Sequence, residues 1–189
     1  MLRWHDVWAI ASEIESSVTE EECAYLWDRA SKAKEGIIEI GSWKGRSSVI
    51  LGSVAKERGI PMICVDTWAD CDLFPGQDFF VQWIQNVSRA GLRPLIDIVV
   101  YRTTSELASL RLDWRWCVDL LFIDADHAYE SVKSDFENWN CILSRPSTVV
   151  FHDINPKCED FGSPRYYSEL CKRFKNEKGA ENIGSIFLK

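Results

Sequence analysis

The chain predicts an α/β fold: a doubly wound, mostly parallel sheet of six to seven strands with helices on both faces. Three observations predict it. Short apolar runs of Ile, Val and Leu alternate with longer segments of helical periodicity, as buried parallel strands and crossover helices do. The first run, Ile37-Ile38-Glu39-Ile40, is followed by Gly41 and Gly45, and then by Val49, Ile50, Val54 and Ala55 at helical spacing. Strand, glycine turn and helix in that order open a Rossmann-like nucleotide-binding unit. Finally, ionisable residues end several of the apolar runs: Asp66, Asp124 with Asp126 and His127, and His152-Asp153. The carboxyl edge of an open α/β sheet is where ligands bind.

Bulk properties bound the rest. At 189 residues and 46% apolar content, the chain is long enough for one domain with a real core. Residues 1–35 are expected to form a helical cover and 36–189 the cofactor-binding α/β core. A net charge of −7 and a pI near 5.0 disfavour a nucleic-acid backbone as partner. No apolar run approaches membrane-spanning length, and no secretory signal opens the chain, so neither a membrane nor an export route is expected. The seven cysteines form no C-x-x-C pair. That is the pattern of a reducing, cytoplasmic setting. Cys64, Cys117 and Cys141 fall in apolar stretches and read as small core residues.

The elements follow in order. Val7, Trp8, Ile10, Ala11 and Ile14 mark a helix over 4–16. Thr19 and Glu22 form a capping box for a second helix reaching about Lys34, with an acidic first turn and a basic last one. Strand 1 spans about Gly36 to Ile40 and its helix Arg46 to Arg58. Strand 2 is Met62 to Asp66. The polar stretch from Thr67 to Gly76 is a loop on the ligand edge, a candidate lid, in which Trp68 either stacks on a ligand or packs. Asp78 to Ala90 is helical. Strand 3 runs from Leu95 to Tyr101, and Arg102 to Glu106 opens the next helix. Leu120 to Ile123 is strand 4, Ala128 to Leu143 a helix, and Ser144-Arg145-Pro146-Ser147 a turn. Thr148 to Phe151 is strand 5. The tail offers one helix from Ser163 to Lys175 and one strand from Ile183 to Leu188.

Glu39 is the informative departure within strand 1, because an ionised carboxylate in a buried strand is costly unless something needs it. The spacing around it is E-x-G-x-x-x-G, not the G-x-G-x-x-G of a dinucleotide site. Strands 4 and 5 should be parallel neighbours joined by a right-handed crossover. Their carboxyl ends would then bring Asp124, His152 and Asp153 together, either as a divalent-metal site or as turn caps and an acid–histidine pair.

These residues carry a resemblance. The motif around Glu39 resembles motif I of the class I S-adenosylmethionine-dependent methyltransferases. The segments SVTEEECAYLWDRA, IIEIGSWKGRSSVIL, VDTW, DLLFIDADHAYESVKSDFENW and VVFHDI are similar, in that order, to the family 24 type, which includes small-molecule and sugar O-methyltransferases and cephalosporin-hydroxylase-like relatives. The likeness runs from about Val18 to Ile154. It implies S-adenosylmethionine as cofactor, with Glu39, Gly41, Ser42, Gly45 and Ser47 at its methionine end. It implies Asp66 and Thr67 at the ribose, Ser105 near the adenine, and Asp124 shared between cofactor and metal. It further implies that Asp124, His152 and Asp153 bind magnesium or another divalent metal. Asp126 or His127 would be the general base toward a small-molecule hydroxyl.

Three departures qualify it. His152 stands where metal-binding relatives carry an acid, and histidine is a poorer magnesium ligand than carboxylate. Pro146-Ser147 replaces a glycine pair. The tail shows sequence for about six strands, not seven, which motivates the alternative of a non-catalytic binding protein on a degenerate fold. An NAD-linked oxidoreductase is disfavoured by Glu39 and the missing G-x-G-x-x-G. A homo-oligomer is compatible with the nine tryptophans.

Overall fold

The structure, a computed structural model, describes residues 2–69, 76–111, 117–157 and 161–189. In chain order the elements are α1 (Trp4–Ala11), α2 (Glu20–Lys32), β1 (Ile37–Ile40), α3 (Arg46–Arg58), β2 (Met62–Asp66), α4 (Phe79–Arg89) and β3 (Val99–Arg102). There follow α5 (Ser105–Arg111), β4 (Val118–Ile123), α6 (Tyr129–Asn140), β5 (Leu143–His152), α7 (Ser163–Cys171), β6 (Lys175–Lys178) and β7 (Ile183–Leu188). The sheet order is β3-β2-β1-β4-β5-β7-β6. All pairs from β3 to β5 are parallel; β7 runs antiparallel to both β5 and β6. The chain reverses its direction of travel across the sheet between β1 and β4, the switch point where such folds open a crevice.

Strand pleating sorts the core into two layers. Ile37, Cys64, Leu120 and Phe122 pack with buried residues of α1 to α4 on one face. Ile38, Ile40, Ile63, Leu121 and Phe151 pack with α5 to α7 on the other. Helix α2 starts as its sequence demands: Thr19 accepts from the Glu22 amide while the Glu22 carboxylate accepts from the Thr19 amide. Arg46 donates to the backbone oxygens of Ile14 and Val18, which holds the α1–α2 connection against the start of α3.

Several expectations are corrected. The sheet has seven strands, within the expected six to seven, and the one the tail did not show is the edge strand Lys175–Lys178. All four of its residues are exposed, so it carried no apolar signal. The 144–147 segment does not turn the chain. It lies inside β5, and the register between β4 and β5 shifts between Val118 and Leu120. Strand β3 begins at Val99, not at Leu95: Leu95 and Ile96 are 67% and 70% exposed. Cys64 is buried, but Cys117 and Cys141 are exposed. Most of the candidate lid, residues 70–75, lies outside the described residues. Trp68 resolves to packing: it is buried, sits against Phe80 and Trp83, and donates from Nε1 to the Trp43 carbonyl at 2.8 Å.

Candidate active site

A cavity of 560 Å3 opens at the switch point. Its wall comes from the carboxyl ends of β1, β2 and β4, the turns after β1 and β3, the first turns of α3 and α6, and Glu15-Ser16-Ser17 from the α1–α2 connection. Among the residues expected at the site, Gly41, Ser42, Gly45, Ser47, Asp66, Thr67, Ser105, Asp124, Asp126 and His127 line it. Glu39, His152 and Asp153 lie behind that wall.

The glycine turn is dictated by packing. Gly41 has φ +86, and a Cβ there would stand 2.1 Å from the Asp124 carbonyl oxygen. Only glycine lets the ends of β1 and β4 come this close. Glu39, expected at the methionine end, does not line the cavity. It points into the α1–α4 layer with no exposure, and its Oε2 accepts from Ser42 Oγ at 2.6 Å, from Cys64 Sγ at 3.2 Å, and from Ser48 Oγ. Burial pushes its pKa up against the pull of these donors. Glu39 therefore braces the turn from behind. Asp66 has a similar second task. Its Oδ2 accepts from the amides of Ser42 and Trp43 at 2.8 and 2.9 Å, and its Oδ1 from that of Trp68 at 2.7 Å. A carboxylate offers about four acceptor positions, so about one remains to face a ligand.

The second half of the wall is ionisable. Ile123 pairs with Phe151 across β4 and β5, so the next residues, Asp124 and His152, fall side by side. His152 is 3% exposed. Its Nδ1 lies 3.0 Å from Asp124 Oδ1 and 3.2 Å from Asp153 Oδ2, and its Nε2 lies 3.3 Å from Glu22 Oε2. Burial works against its charge, but Asp124, Asp153 and Glu22 together push its pKa up to about 12. Burial raises the Asp124 pKa, and His152 pulls against that. Asp153 takes a left-handed backbone, φ +55, accepts from Asn182 at 2.6 Å through Oδ1, and pairs through Oδ2 with His127 Nε2 at 2.7 Å. Against its burial, the two histidines hold its pKa well below the usual carboxylate range. The His127 pKa is raised, chiefly by the hydrogen bond to Asp153. Its ring also stacks on Phe161, 4.3 Å between centroids.

The two candidate bases separate here. Asp126 accepts from the Ala128 amide at 3.1 Å and from Ser131 Oγ at 2.6 Å, and the Ser131 hydroxyl leads in lowering its pKa. Its two bonds close the turn that leads into α6 and tie it to Ser131. His127 has the raised pKa and an orienting carboxylate.

The donor set suits a metal. Ligand atoms of Asp124, His152 and Asp153 lie within 4.8 Å of one another. His152 Nδ1 makes no well-aligned hydrogen bond among the described residues, although two carboxylates stand at ionic distance. Glu22 faces the ring's other nitrogen, the arrangement by which carboxylates orient metal-binding histidines. Two oxygens and one nitrogen suit manganese, iron or zinc better than magnesium. Glu22 was legible only as a helix cap, and nothing in the sequence pairs it with a histidine 130 residues away.

A Rossmann-like sheet with a glycine turn and an acidic cluster at its switch point defines a cofactor-binding α/β enzyme fold. The chain belongs to the methyltransferase-domain family, which it matches over residues 38–154. Among curated proteins it is 49% identical over 53 residues to the uncharacterized protein y4gI of Sinorhizobium fredii; the match covers 28% of this chain and 6% of that relative's length. Among solved structures, a Staphylococcus aureus protein assigned as a caffeoyl-CoA O-methyltransferase superposes with TM-score 0.71 at 15% identity, covering 100% of this chain and 93% of that one. The O-methyltransferase TomG of Streptomyces achromogenes, involved in tomaymycin synthesis and solved in complex with SAM, gives 0.63 at 16%, covering 98% and 89%. At these identities the structural likeness is one of fold.

Proposed function

We propose that the protein transfers the methyl group of S-adenosylmethionine to a hydroxyl of a small molecule. One observation carries this reading: a single cavity joins the glycine turn and Asp66 to a histidine held by a carboxylate. Its 560 Å3 lies within the range of small-molecule sites. The O-methyltransferases that share the fold support the same chemistry.

When bound, S-adenosylmethionine supplies a methyl group already activated by the sulfonium charge. The chain's task is to hold and orient. Gly41, Ser42 and Ser47, at the turn and the start of α3, receive the methionine end. Asp66 offers its remaining acceptor position to the ribose. Asp153 holds His127 through Nε2, which leaves Nδ1 to take the acceptor hydroxyl's proton. The carboxylate raises the basicity of that ring. Asp124, His152 and Asp153 are the residues that would hold a divalent metal, whose contribution would be to orient the hydroxyl and lower its pKa. Strands β6 and β7 complete the sheet, so the tail gives no reason to favour a non-catalytic protein. Among the described residues no helix is long and apolar enough to cross a membrane. The proposed setting is the cytoplasm.

The test is calorimetric titration with S-adenosylhomocysteine, with manganese or with chelator, followed by transfer of labelled methyl to a panel of small hydroxyl compounds. Micromolar binding and labelling of one acceptor class are expected. Absence of S-adenosylhomocysteine binding in both conditions would overturn the reading.

A further inference from the structure

The two edges of the sheet are finished differently. Strand β6 ends one side with Lys175-Asn176-Glu177-Lys178, all exposed. Charged side chains on an edge discourage another chain from pairing there. Strand β3 ends the other side with Val99, Val100 and Tyr101, which are half-buried although only β2 pairs with them, and with exposed Arg102. Among the described residues five large apolar side chains are exposed, and four of them belong to this second edge. Leu95 and Ile96 stand in the turn before β3, and Leu107 and Leu110 on α5. Single exposed apolar residues are ordinary, but a cluster of them marks an interaction surface.

The turn before β3 is tied shut. Asp97 accepts from the Arg93 amide at 2.9 Å and from its guanidinium at 2.6 Å, and from Lys56 Nζ at 3.0 Å. At its tip Leu95 has φ +65, a left-handed conformation that is costly for a leucine. An apolar side chain is thus fixed in water at a strained position. Helix α5 also shows an apolar face. Ala108 is its buried residue, while Glu106, Leu107, Leu110 and Arg111 are exposed and recur at the spacing of one helix face.

The order along that face is acid, leucine, leucine, base. Laid antiparallel on a second copy about a two-fold axis, α5 sets Leu107 against the partner's Leu110 and Glu106 against the partner's Arg111. Each pair then occurs twice. A two-fold contact requires one self-complementary patch, and this one has an apolar middle and a charged rim. A partner of uniform charge would be matched at one end of the helix and repelled at the other.

We propose that the β3–α5 edge docks a second copy of this chain through antiparallel α5 helices. The clustered apolar residues, the fixed turn and the charge complementarity carry the inference, which does not depend on the cofactor reading.

The experiment is sedimentation equilibrium on the full chain over about 1–100 μM, the range in which an interface of modest affinity assembles. Wild type should dimerise. Glu106→Arg sets arginine against arginine across the axis, and Arg111→Glu sets glutamate against glutamate. Each should weaken dimerisation by about tenfold or more. Mixing the two variants should restore a dimer, because every pair across the hybrid is then opposite in sign. Leu110→Asp should weaken dimerisation by about 100-fold or more, since its carboxylate would be buried against the partner's Leu107. All three substituted residues are exposed, and an unfolding curve for each variant checks that the protomer is intact. Wild type that stays monomeric throughout the range overturns the proposal. So does a dimer that survives Leu110→Asp and both charge variants unchanged. A mixture that dimerises no better than its components also overturns it.

Discussion

Replacing Asp135, which is buried in the cavity wall, by asparagine should stabilise the protein by an amount that grows from about pH 4 and levels off above about pH 6. Burial pushes the Asp135 pKa from its ordinary 3.8 up to about 6; the Ser105 hydroxyl opposes the shift and Asp126 adds to it. Because the folded pKa is raised, the folded state binds this proton more tightly than the unfolded chain. The favourable contribution is complete below about pH 4 and is lost as pH rises to about 6. Above that, ionised Asp135 weighs against the fold. A shift of about two units corresponds to roughly 3 kcal/mol as a ceiling, at 1.36 kcal/mol per unit. For a chain of this size that is a gain of up to about 6–12 °C in Tm at pH 8. Asparagine keeps the volume but carries no charge. The assay is urea denaturation of wild type and Asp135→Asn at pH 8, 7, 6, 5 and 4. The difference should be largest at pH 8 and close to zero at pH 4. A difference that does not change with pH, or a variant less stable than wild type at pH 8, would refute the reasoning. A stability gain combined with weaker S-adenosylhomocysteine binding is the signature of a residue kept for function at the expense of the fold.

Three further outcomes are expected. Gly41→Ala forces a Cβ to 2.1 Å from the Asp124 carbonyl at a positive φ, so it should lower stability by at least about 3 kcal/mol in denaturation and abolish S-adenosylhomocysteine binding. His127→Asn should cut methyl transfer by about 100-fold or more while leaving S-adenosylhomocysteine affinity within a few fold, whereas Asp126→Ala should chiefly cost the turn's hydrogen bonds to Ala128 and Ser131, about 1 kcal/mol. The reverse ranking in an acceptor assay would return the base role to Asp126. Glu22→Gln should weaken manganese binding by about tenfold, measured by electron paramagnetic resonance, because the carboxylate that orients His152 is gone. Unchanged manganese affinity would detach Glu22 from the site.

Hydrophobic patterning made most of the fold legible. The limits of α3 and β2 match their apolar periodicity, and the Thr19–Glu22 box marks where α2 begins. Errors fell where side chains carry no such signal. Strand β6 is Lys-Asn-Glu-Lys and owes its existence to pairing with β7. Pro146 reads as a turn, yet the segment lies inside β5 as an irregularity between Leu143, paired with Val118, and Ser147, paired with Leu188. At the site, adjacency along β4 and β5 was enough to bring Asp124, His152 and Asp153 together, because parallel register is simple arithmetic.

What the sequence determined by itself is the order of elements, the glycine turn, and which ionisable residues stand at the carboxyl edge. These depend on local periodicity and on backbone conformations that few residues can adopt. What only the tertiary structure decided is how each charge is employed. Asp66 spends most of its acceptors on the turn, and Glu39 ties the turn to α3 and β2 through one oxygen. Asp126 closes the turn before α6, while His127 gains a carboxylate. Glu22 meets His152, and Asp135 enters the cavity wall. A carboxylate's role is set by the donors that reach it and by its distance from water, and those partners come from segments up to 130 residues apart.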